Sequence, residues 1–148
     1  MDSFSPLYHI GLVSETAHLS FSELTKVSAA LQKQIMRDFT PIWGIQSTLD
    51  AFEKLEDIPL DYWPMIVRND IDVPGAEGIH EDKDGHPFAL VKYSHEWSLT
   101  ASHECLEMLC NPSGNRVEAG ESPIPGQGRV EFLVEVCDPC GAEQFAYD

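Results

Sequence analysis

The chain has 148 residues, 43% hydrophobic and 23% charged, and its 25 Asp and Glu against 9 Lys and Arg give a formal net charge of -16. A chain of this size buries roughly two thirds of its unfolded surface, enough for one core, which excludes a disordered acidic tail. Charge of this sign repels nucleic-acid phosphates and anionic membranes, and no apolar run approaches the ~18 residues of a membrane span, so neither is an expected partner. The start Met1, Asp2, Ser3, Phe4, Ser5, Pro6 lacks the basic and apolar stretches of a signal peptide, which points to a cytoplasmic protein.

Taken in order, residues 7–13 form a short β-rich run and predict a buried strand. Ser20 and Glu23 then fit a capping box, and Leu24, Val27, Leu31, Ile35 and Phe39 recur at helical spacing until Pro41, so a long amphipathic helix is expected. Trp43, Gly44 and Ile45 suggest a short extended piece, and the acid-rich 47–59 reads as a surface connection. A second strand is expected over 64–68, followed by a turn-rich loop at 69–75. A third follows over 88–93, introduced by the turn-like 83–87. Ser98 can cap a helix over 99–110, which Asn111 and Pro112 end. Residues 112–128 are rich in Ser, Gly and Pro and predict a loop, while 130–137 satisfies both the strand and the helix period. Phe145, Ala146, Tyr147 and Asp148 read like the middle of a strand, as if the natural chain continued.

The sharpest local pattern is His103, Glu104 and Glu107 on the helix over 99–110. One turn separates 103 from 107, so an imidazole and a carboxylate on one face can reach one metal ion. Glu104 stands about 100° further round, where it can meet a water bound to that ion. This is the logic of a zinc hydrolase, with two helix ligands and an adjacent glutamate as general base. A third ligand must come from elsewhere. Glu135 shares a side with Glu131 whether 130–137 is strand or helix, which makes it the candidate, with Asp138 an alternative ligand or a partner that orients His103.

The order strand, helix, strand, strand, then a helix bearing His-Glu-x-x resembles the core of the zincin metallopeptidases, and a later Glu followed by Asp resembles the gluzincin branch. The stretches 102–109 (Ser-His-Glu-x-x-Glu-Met-Leu) and 135–139 (Glu-Val-x-Asp-Pro) are similar to those of a group of uncharacterised prokaryotic and phage-type proteins. The resemblance implies a single α+β zincin-like domain over 1–148, with a small mixed sheet, a long N-terminal helix and a metal-site helix. It implies His103 and Glu107 as ligands, Glu104 as base and Glu135 as third ligand, in a metal-dependent peptidase acting on a peptide or protein. Zincins usually have His where this chain has Glu107. One imidazole with two carboxylates binds zinc less well and gives the ion more negative charge, so Mn2+ and Fe2+ stand beside Zn2+ as expected cofactors. The resemblance also implies that the strand before the metal helix lies at the sheet edge and pairs with substrate, which by position is 88–93.

Three other groups of residues invite attention. His80, His86 and His95 precede the motif in a stretch read as irregular, which weighs against a metal cluster there. Tyr93 and Tyr147 could polarise a tetrahedral intermediate. Cys137 and Cys140 have zinc-knuckle spacing, but Cys105 and Cys110 lie on the expected helix, which would have to unwind for four thiolates to meet. The alternative function class is a non-catalytic acidic protein-interaction domain with a degenerate or structural metal site.

Overall fold

In a computed structural model of the chain, residues 6–137 are described. Strand β1 (Leu7–Ser14) is the apolar run expected at the start, and it pairs in parallel with β2 (Gln46–Phe52) on one side and β3 (Trp63–Arg68) on the other. Strand β5 (His86–Lys92) lies parallel to β3, and β4 (Gly78–Lys83) runs antiparallel beside it, giving the order β2-β1-β3-β5-β4. The architecture is therefore mixed α+β around a five-stranded mixed sheet.

Two strands occupy stretches expected to be connections. In β2 only Ser47 and Leu49 are buried, so an acid-bearing edge strand resembles a surface segment in sequence. In β4 the sequence Gly-Ile-His-Glu-Asp-Lys has little apolar content. Its partner is set instead by the two-residue turn Asp84-Gly85, with φ of 54° and 84°, the left-handed pair that favours a tight hairpin. That hairpin overturns one expectation. β5, which covers most of 88–93, is interior, and the strand that ends the sheet is β4.

Helix α1 (Phe21–Gln34) begins at the expected cap, with the Ser20 hydroxyl accepting from the Glu23 backbone N–H at 3.1 Å and donating to Glu23 Oε1 at 3.2 Å. A π-helical turn over Ile35–Phe39 follows, then α2 (Thr40–Trp43). The expected stop at Pro41 does not occur, because proline falls in the first turn of α2, where its missing N–H leaves no helical bond unmade. The stop comes at Gly44, whose N–H still reaches the Thr40 carbonyl and whose φ of 69° turns the following chain out of the helix. Residues 43–45 thus hold a helix end instead of an extended piece.

Helix α3 (Trp97–Cys110) starts two residues before the expected span and without a side-chain cap. Ser102 Oγ donates to Gln34 Oε1 at 2.6 Å, which joins α3 to α1. Ile10, Leu12, Met65, Val67, Ala89 and Val91 from the sheet share one core with Leu24 and Leu31 of α1 and Ala101, Cys105 and Met108 of α3. Both helices therefore cover the same face of the sheet. Beyond α3, β6 (Val117–Glu121) and β7 (Arg129–Leu133) form a separate antiparallel pair, which makes 130–133 of the ambiguous 130–137 a strand, leaves 134–137 outside it, and places a second strand inside the expected loop. Among the described residues no helix is long and apolar enough to cross a membrane.

Candidate functional site

The face of α3 that carries the motif is turned inward. Glu104 is 7% exposed and Glu107 3%, while His103 and Leu106 are half-buried. Buried carboxylates need partners, since desolvating one without hydrogen bonds is costly. Glu104 and Glu107 find theirs on different parts of the chain.

Glu104 meets the edge strand. Its Oε2 lies 3.1 Å from Nδ1 of His80, and both side chains are largely shielded from solvent. Because side chains alternate along a strand, Gly78 and His80 present the same face of β4 to α3. A Cβ at Gly78 would fall 2.7 Å from Thr100 Cγ2 and 2.8 Å from Glu104 Cγ, so only glycine lets the strand approach this closely. Gly78→Ala is expected to cost about 2 kcal/mol through this overpacking, read as a lower urea midpoint with an unchanged slope.

Glu107 holds the chain beyond β7. Its Oε1 accepts from the backbone N–H groups of Val136 at 3.1 Å and Cys137 at 2.6 Å. Nearby, Asn111 Nδ2 donates to the Val134 carbonyl at 3.4 Å, and Arg116 Nη1 donates to the Cys110 carbonyl at 2.9 Å. The β6–β7 pair is thereby fastened to the C-terminal end of α3.

The other expected ligands are less gathered. Glu135 is exposed just past β7. Asp138, Cys140 and Tyr147 lie outside the described residues. Among the described residues, no three His, Cys, Asp or Glu side chains are disposed to hold a metal ion. His103 and Glu107 lie one helical turn apart on α3 and are of donor types that a divalent cation accepts.

Cys105 and Cys110 are buried free thiols on α3. Burial, with the charge of Cys137 second, pushes the Cys105 thiol from 9.0 up to about 12. Burial and then the Glu107 carboxylate do the same to Cys110, also to about 12, against the lowering effect of Arg116 and the Val136 N–H. Since α3 is continuous through both residues, the helix has not unwound to gather them. A thiol held protonated stabilises the fold fully below its unfolded pKa, and that contribution is lost as the unfolded chain alone deprotonates. Stability is thus expected to fall between pH 9.0 and about 12, with a smaller fall in a Cys105→Ala, Cys110→Ala variant followed by urea unfolding.

Comparison with protein-family models, curated proteins and solved structures found no match. The site therefore rests on its own residues. His80, in a stretch whose sequence looks irregular, is the partner of Glu104. The signal that could have found it is the Asp84-Gly85 dipeptide: taken as a two-residue hairpin turn, it places residues 78–83 on a strand beside β5. His86 and His95 are both exposed.

Proposed function

We propose that the chain is a peptidase-like hydrolase of zincin type, with Glu104 as general base and an extended peptide or protein segment along β4 as substrate. The observation that carries this reading is the position of one carboxylate. Glu104 is nearly buried at the point where α3 meets the strand that ends the sheet. A sheet edge offers backbone N–H and C=O groups to an extended chain, which fixes the substrate carbonyl by main-chain hydrogen bonds. A carboxylate beside that edge can take a proton from an attacking water and return it to the leaving amine.

His103 and Glu107 are the residues that would hold a zinc ion, with manganese or iron as the alternatives and Glu135 or Asp138 completing the set. When bound, such an ion polarises the carbonyl and makes water more acidic. The test is incubation of the protein with a mixed peptide library and each of the three ions in turn, read by mass spectrometry. Ion-dependent products that a chelator suppresses are expected. Metal content of about one equivalent, lost in His103→Ala, is the matching expectation from elemental analysis. A library left intact with all three ions overturns the reading.

One observation favours the second reading, a non-catalytic acidic interaction domain. Glu107 commits Oε1 to two backbone amides, a structural task that needs no metal.

A further inference from the structure

We propose, resting on the peptidase reading, that His80 is a positioning residue for Glu104, setting the orientation of the base and tying it to the strand on which substrate would lie. A base that takes a proton from water acts as the carboxylate, and across the 3.1 Å contact that form accepts at Oε2 from an Nδ1–H of His80. The other oxygen lies against the backbone of β4, since a Cβ on Gly78 would come within 3.1 Å of Oε1. Glu104 thus bonds to β4 at His80 and packs against it at Gly78, two residues apart on the same strand.

Side-chain exposures of 19% for His80 and 10% for Glu104 put the contact where water competes little for it, which strengthens a charge-assisted hydrogen bond. A glutamate side chain turns about several bonds. A base that must meet one water in one geometry gains from having those rotations fixed before substrate arrives. The contact also links two events that would otherwise be independent. A peptide pairing with β4 orders the strand that carries His80, and through it the carboxylate.

Two measurements test this. In protein labelled with 15N-histidine, NMR is expected to show His80 with its hydrogen on Nδ1, and that preference is expected to be lost in Glu104→Ala. In peptide-library cleavage, His80→Leu is expected to lower kcat about 10–100-fold with KM within about twofold of the parent. His80→Asn, whose amide N–H can stand close to the place of Nδ1, is expected to recover most of that loss. A rise in KM with kcat unchanged, or an asparagine variant no better than the leucine one, overturns the positioning role. A ring that carries its hydrogen on Nε2 whatever stands at 104 overturns the contact and leaves the peptidase reading standing. A parent protein that cleaves no peptide removes the catalytic role together with the reading beneath it, while the NMR result still decides whether His80 holds Glu104.

Discussion

Replacing Glu104 by glutamine is expected to lower peptide cleavage by about 10²–10⁴-fold, the usual contribution of a positioned general base. The substitution keeps the shape of the side chain and so keeps its fit against Gly78 and Thr100. It also keeps a polar terminus for His80: an amide oxygen can accept from Nδ1–H, and an amide N–H can donate to the bare Nδ1 of the other tautomer. What it removes is the lone pair basic enough to take a proton from water. Stability should therefore change little while turnover collapses, and comparing urea midpoints with initial rates separates the two. Were Glu104 only a buried partner for His80, glutamine would preserve the rate as well as the fold, and the general-base role would be lost.

What the sequence makes legible follows how much each element depends on its own residues. β1, β3 and β5 are apolar because they lie inside the sheet, so their runs announce them. The start of α1 is equally plain, since Ser20 and Glu23 complete their cap within four residues. The two sheet-ending strands are another matter. β2 and β4 bury little, and their membership is fixed by neighbours: β1 for β2, and β5 through the Asp84-Gly85 turn for β4. The same distinction runs through the site. His103, Glu104 and Glu107 share a helix, and its period brings them near one another on paper. His80 is 24 residues from Glu104, and Val136 is 29 from Glu107. No periodicity encodes those separations, so the partners of both carboxylates become visible only when strand β4 and the segment after β7 are laid against α3.

Glu107→Leu is expected to destabilise the fold by about 3 kcal/mol, from two hydrogen bonds to a charged acceptor at roughly 1.5 kcal/mol each. Leucine fills much of the same volume, so a cavity contributes little and the loss falls on the N–H groups of Val136 and Cys137. These are left facing an apolar side chain at a half-buried place, and the connection between β7 and α3 loosens. Amide exchange should report this directly, with faster exchange at 136 and 137 and little change in β1 or β3. Glu107→Gln separates the structural task from the chemical one. Its amide oxygen can accept from the same two N–H groups, so stability should stay within about 1 kcal/mol of the parent, while the negative charge that would help hold a divalent ion is gone. Loss of bound metal and of peptide cleavage in the stable glutamine variant would make Glu107 a ligand as well as a tether. Full retention of both would leave it a tether alone and move the metal set away from this side chain. A glutamine variant as unstable as the leucine one would instead show that the charge itself holds residues 136 and 137 to α3.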